Sequence, residues 1–157
     1  MKLKTELPLA AASRIIERVL AVGRAAGMAP LTVAVLDAGG HPVALAREDG
    51  AGILRPEIAT AKAWGALGMG ESSRALGARL RERVAFQAAL AAASGGRVVA
   101  VPGGVLIRDG AGEVIGAVGI SGDASEKDEY CAIEGIRAAG LTPEPAEPDP
   151  NWRGERG

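Results

Sequence analysis

Two segments of this chain, Leu31 to Arg47 and Gly104 to Ile120, share one pattern, and it restricts the fold more than any other feature. In the first, Leu31–Leu36 and Val43–Arg47 are runs rich in β-branched residues on either side of Asp37-Ala38-Gly39-Gly40. In the second, Gly104–Arg108 and Val114–Ile120 flank Asp109-Gly110-Ala111-Gly112. Glycine accepts positive φ at no steric cost, so an Asp/Gly-rich linker of this length closes a hairpin. Strands joined by such tight turns pair antiparallel.

Helical periodicity surrounds the hairpins. Ile15, Val19, Val22 and Ala26 form one stripe, widened by Ile16 and Leu20, which predicts a helix from Pro8 to Ala26 that stops at Gly27. Two more helices are predicted at Pro56–Met69 and Arg79–Ala93, then a strand at Arg97–Val101 and a last helix from Ser125 to Ala139. Ser125 with Asp128 three residues later resembles a capping box. The predicted order is α-β-β-α-α-β-β-β-α, and helices grouped outside hairpins indicate an α+β fold, an antiparallel sheet flanked by helices. The domain is expected to span residues 1–141. Residues 142–157, TPEPAEPDPNWRGERG, carry four prolines and no apolar periodicity, and predict an extended or disordered tail outside the core.

Composition narrows the function classes. Lys and Arg total 18 against 19 Asp and Glu, so no basic excess exists to hold a phosphate backbone. Aromatic residues are 3% of the chain, too few for base-stacking platforms. Nucleic acid is therefore not an expected partner. No apolar run reaches the roughly 20 residues of a membrane helix. Glu6, Arg14, Glu17 and Arg18 interrupt the N-terminal apolar stretch, which reads as the first helix of the fold and not as a secretory signal. With Cys131 as the single cysteine, no internal disulfide forms, and the expected location is cytoplasmic.

The segments VAVLDAGGHPVALAREDGA, PEIATAKAWGALGMGESSRAL, VPGGVLIRDGAGEVIGAVGISGD and KDEYCAIEGI together resemble the GlcG/HbpS family, also called the haem-degrading or DUF336 domain. The resemblance covers residues 5 to 141. It implies a profilin-like α+β fold, homo-oligomers and, in some members, haem as the bound cofactor. It does not imply one activity: members stand beside catabolic genes for small acids and aromatic ring-cleavage products.

Several residues carry chemistry. Lys62 lies on a helical stripe of small, apolar residues with Ile58, Ala61, Gly65 and Met69. There it either binds a substrate carboxylate, acts as a desolvated amine, or snorkels into a salt bridge. Asp128 and Glu129 are adjacent, so they diverge by about 100° on a helix and at most one faces a given pocket. The resemblance favours Glu129, as a general acid/base or the partner of Lys62, against an ordinary exposed acidic turn. Lys62 and Glu129 are thus the candidate catalytic pair. Arg47, at a strand end, is a candidate carboxylate clamp or a surface partner of Glu48 or Asp49. Ser121, in Ser121-Gly122-Asp123 before a helix, would offer a hydroxyl beside free backbone N–H groups, or the junction simply caps itself. Gly103 and Gly104 let main chain approach a ligand or a neighbour, or merely form a turn.

His41, the sole histidine, sits between Gly40 and Pro42 and reads as an exposed turn residue, not a haem ligand, so the axial ligand of a haem is left open. One histidine and one distant cysteine make no structural metal site. Cys131 reads as a small core residue. Three functions are consistent with these residues: a small-ligand-binding protein for haem or another tetrapyrrole, a small enzyme or accessory enzyme acting on a carboxylate-bearing catabolite, or an oligomerising partner protein. All three expect self-association.

Overall fold

Both predicted hairpins form, and their turns are near copies of each other. In the computed structural model, which describes residues 1–154, β1 (Thr32–Asp37) and β2 (Pro42–Arg47) pair antiparallel, as do β3 (Gly104–Arg108) and β4 (Val114–Ser121). In the first turn Asp37 Oδ1 accepts from the amides of Gly39 and His41; in the second Asp109 Oδ1 accepts from those of Ala111 and Glu113. Gly40 and Gly112 hold φ of 80° and 81°, which explains the glycine at the fourth place of each turn.

The hairpins join side by side through β1 and β4, giving the order β2-β1-β4-β3-β5 in one antiparallel sheet, β5 being the short strand Thr142–Glu144. Side chains alternate across it. Val33, Val35, Val105, Ile107, Val118 and Ile120 face α1 (Leu9–Ala25) and the C-terminal helix Ser125–Ala138, whose Ile15, Val19, Ile133 and Ile136 complete the larger core. Leu36, Leu106 and Ala117 face α2 (Arg55–Met69) on the other side, with Ala63 and Ala66. The α+β class and the antiparallel sheet with helices on both faces are therefore as expected.

The element order differs from expectation in three places. The helix predicted at 79–93 is two helices, α3 (Ser73–Leu80) and α4 (Val84–Ala93). They part at the charged triplet Arg81-Glu82-Arg83, where Arg83 leaves the helical region at φ −106°, ψ 56°. Residues 97–101 form no strand. They run over α2 and α3 instead, close enough that a Cβ on Gly77 would stand 2.4 Å from the Ala100 carbonyl oxygen. The fifth strand comes from the predicted tail: after α5 (Ser125–Ala138), β5 (Thr142–Glu144) pairs with β3 at the sheet edge, a place that tolerates Pro143. Beyond it the chain bends at 145–147 and turns at 150–153, and it is strapped down. Arg137 holds the Ala146 carbonyl and the Glu147 carboxylate, and Trp152 stacks on Tyr130 with ring centres 3.7 Å apart. Residues 155–157 of the predicted tail lie outside the described residues.

Candidate functional site

The layer between α2 and the sheet has an unusually close approach at its centre. Gly104 and Gly119 are cross-strand partners under the helix. A Cβ on Gly119 would lie 1.8 Å from the Ala59 carbonyl oxygen, and one on Gly104 would lie 2.3 Å from that of Lys62. Only glycine lets α2 sit this low. At Gly104, expected to let main chain approach a ligand or a neighbour, the close approach is made by α2 of the same chain. Ser73 of α3 fastens the same point: its Oγ accepts from the Gly104 amide at 2.7 Å and donates to the Gly104 carbonyl at 3.3 Å.

Seating α2 here drives Lys62 into the interior, where it is 2% exposed. Its Nζ donates to the Ile120 carbonyl at 2.9 Å and to Asp128 Oδ2 at 3.0 Å. Gly103, at φ 120°, packs on the ammonium: a Cβ there would stand 2.9 Å from Nζ. The other oxygen of Asp128 accepts from the Asp123 amide at 3.1 Å. Burial pushes the Asp128 carboxyl up to about 6, and the Lys62 charge only partly opposes that rise.

Ser121 and Arg55 continue this polar layer. Ser121 Oγ accepts from Arg55 Nη1 at 3.0 Å, and Thr32 is its cross-strand partner. Thr32 Oγ1 is buried without a hydrogen-bond partner among the described residues. Arg47 is the partner of Thr32 on the other side, exposed at the end of β2. It makes no ion pair among the described residues; Glu48 is engaged instead by Arg24 at 2.9 Å and by the Leu31 amide. The Ser121-Gly122-Asp123 junction caps itself: Asp123 takes the amides of Ala124 and Ala29, at 2.7 and 2.8 Å. No side-chain cap comes from Ser125, which lies inside α5, so the predicted capping box is replaced by Asp128 reaching back to Asp123.

Glu129 does not join Lys62. It diverges from Asp128, as their adjacency requires, and the residue that meets Lys62 is Asp128. Glu129 is fully buried, with Arg74 Nε of α3 3.3 Å from its Oε2 and, among the described residues, no well-aligned hydrogen bond to either oxygen. Burial pushes its carboxyl up to about 7; Arg74 and the Asp149 backbone pull the other way, while the charges of Asp149 and Glu126 add to the rise. Two buried carboxylates thus serve two cations, Asp128 with Lys62 and Glu129 with Arg74. Sequence reasoning missed Asp128 as the partner of Lys62, and missed Arg74 altogether. The one available signal was that two adjacent helical carboxylates in a chain with buried cations must each find a different one.

The remaining candidates are quickly placed. Cys131 is buried against Met28, and burial pushes its thiol up to about 12, which makes it inert. His41 is exposed, with Nδ1 3.5 Å from Asp37 Oδ1. It borders a cleft of 480 Å3 together with Leu3, Leu7, Leu9 and Lys4. Among the described residues, no three His, Cys, Asp or Glu side chains are arranged to hold a metal ion. No described helix is long and apolar enough to cross a membrane.

Against known families, residues 7–137 match the model described as haem degrading protein HbpS-like. The chain belongs to the HbpS-like family. Among solved structures, this HbpS-like chain is similar to a PduOC–haem complex, at 26% identity and a TM-score of 0.75 over 83% of this chain and 93% of that one. A double mutant of HbpS from Streptomyces reticuli matches at 25% identity and a TM-score of 0.72, covering 87% of this chain and 89% of that one. The Klebsiella pneumoniae protein ORFY, of the DUF336 family, shares the fold at 23% identity and a TM-score of 0.79, over 89% of this chain and 94% of that one. No curated protein matches the sequence.

Proposed function

We propose that this HbpS-like protein is a self-associating binding protein for a small ligand, and that the ligand is a tetrapyrrole of the haem class. The observation that carries the reading is the likeness to PduOC, solved as a haem complex, over 93% of that chain. The residues present fit such a group. A haem needs an apolar wall for its ring, an axial donor and a cation for its carboxylates. The cleft beside His41 offers the exposed Leu3 and Leu9, with Leu7 buried in the core, an imidazole 3.5 Å from Asp37, and Lys4, which is paired with Glu6 of the same cleft. When bound, haem would supply an iron centre; His41 would hold it, and the leucines would exclude water from the ring. This assigns His41 a role that its turn position alone does not suggest.

Self-association is supported by α4. Nine of its ten residues are apolar, all but Gln87, yet none is buried, and Val84 is 71% exposed. An exposed helix of that composition is the surface a second copy would cover. A cytoplasmic location belongs to the same reading. The enzyme reading built on Lys62 and Glu129 has less support, because the two do not meet and each is closed in by protein atoms.

The test is a haemin titration followed by absorbance on the full chain and on His41→Ala. The expected result is a sharp, saturable Soret band that the variant loses. A saturable band that persists in His41→Ala would move the axial ligand elsewhere and keep the haem reading. A broad, unsaturable signal would overturn it.

A further inference from the structure

A second cleft lies on the opposite side of the hairpin turn from His41, and none of the functions above uses it. Its volume is 460 Å3, within the range of small-molecule sites, and its lining includes Glu57, Thr60, Ala61 and Trp64 of α2 with Gly40 and Arg97. Glu57, Thr60, Ala61 and Trp64 follow at i, i+3, i+4 and i+7, so they form one face of the helix. A charged group therefore stands at each end. Glu57 is in the first turn, and Arg97 lies over the Trp64 ring, 4.1 Å from its centre. Seven residues of helix separate the ends by about 10 Å along the axis.

Each wall is held in place. The indole is wedged by the hairpin: a Cβ on Gly40 would meet Trp64 Cδ1 at 2.9 Å. The guanidinium is anchored by Arg97 Nε, which donates to the Ser94 carbonyl at 2.9 Å. That leaves both Nη groups without a hydrogen-bond partner among the described residues. A stacked, oriented guanidinium with its outer donors free is the group that binds a carboxylate bidentately. Glu57 likewise has no ion-pair partner among the described residues, and it can accept a hydrogen bond but cannot give one when ionised.

We infer that this cleft binds an aromatic carboxylate carrying a ring hydroxyl or amino group. Arg97 takes the acid, Trp64 and Ala61 pack the ring, and Glu57 with Thr60 accepts the donor at the far end. One para-substituted benzene ring with a hydrogen bond at either end spans the gap. The site is independent of the His41 cleft, so haem and the aromatic acid are separate ligands.

The experiment is isothermal titration of the full chain with 4-hydroxybenzoate, benzoate and 4-hydroxybenzyl alcohol. The expected order is 4-hydroxybenzoate tightest, benzoate weaker for want of the donor, and the alcohol weakest for want of the charge. Arg97→Gln should weaken both acids about tenfold or more, as loss of a hydrogen bond to a charged group does. Glu57→Gln should weaken 4-hydroxybenzoate and leave benzoate unchanged. Both side chains are exposed, so unaltered thermal unfolding of the variants would show that the fold is intact. No saturable heat with either acid, or equal affinity for them in Arg97→Gln, would overturn the inference whatever the haemin titration gives.

Discussion

Lys62 and Asp128 are 66 residues apart in sequence and 3.0 Å apart in space, with 2% and 1% of their surfaces exposed. Their ion pair ties α2 to α5 across the end of β4, and the Ile120 carbonyl is the third member of the knot. Two costly desolvations are offset there by one contact and two backbone hydrogen bonds. The pair therefore acts more through the damage done by breaking it than through net stability.

The two partners should not be equally sensitive. Asp128→Asn leaves a buried ammonium with no counter-charge, and should cost about 3–5 kcal/mol. Lys62→Met leaves a carboxyl that burial already pushes up to about 6, so it can take a proton and become neutral. The methionine variant should lose markedly less. Urea unfolding of both variants at neutral pH decides it, and the reverse order would mean that Lys62 carries something other than this pair.

Glu129 makes stability depend on pH in an unusual direction. Its folded carboxyl is raised from 4.5 to about 7, so the folded chain binds a proton more tightly than the unfolded one. The stabilisation from that proton is fully present below 4.5 and is lost as pH rises through about 7, an effect on the order of 3 kcal/mol. Asp128, also raised, adds the same sign over a lower window, from 3.8 to about 6. Glu129→Gln should flatten the curve between pH 5 and 7 and leave the variant the more stable protein at pH 8. Denaturant midpoints across this range test it. A wild-type curve that climbs with pH through 5 to 7 would contradict the burial of an ionisable Glu129.

Gly119→Ala and Gly104→Ala should be among the most damaging single changes in the chain. Each adds one methyl group against a helix carbonyl that cannot turn aside, so α2 must lift off the sheet and take the Lys62–Asp128 pair with it. Losses of about 3 kcal/mol or more are expected, at the upper end for overpacking. Gly110→Ala, with nothing within 4 Å, is the control and should change little. Thermal unfolding of the three variants makes the comparison.

These contacts also show where a sequence stops being informative. The hairpins were legible because turn chemistry is local: Asp37 and Asp109 bond amides two and four residues on. The first, second and last helices were legible from periodicity, down to the stop at Gly27, which has φ 66°, whereas the break between α3 and α4 was not. The burial of Lys62 was half legible, since small neighbours mark close approach but not what approaches. Its partner was not legible, because the choice between Asp128 and Glu129 rests on how α5 rolls against the sheet. The strand at Thr142–Glu144 was hidden for a different reason. Its pairing with β3 is set by edge geometry, while its prolines carry the local signature of an unpaired arm. The Trp64–Arg97 cleft joins three elements that only the tertiary fold brings together.

The strapped tail should control the buried carboxyl. Trp152 stacks on Tyr130 of α5, and Asp149, three residues before it, lies beside Glu129. Arg74 links the two regions, meeting Glu129 with Nε and the Glu147 carbonyl with Nη2. Trp152→Ala removes an aromatic pair worth about 0.5–1.5 kcal/mol beyond its burial, which should free the segment around residues 145–154. Two consequences follow from one cause. Limited proteolysis should cut that segment while sparing the body of the domain. Water reaching Glu129 should also bring its carboxyl back toward the ordinary range, so the fall in stability between pH 5 and 7 should shrink. A variant that is cut faster yet keeps the full pH dependence would show that α3 and α5 seal Glu129 without help from the tail.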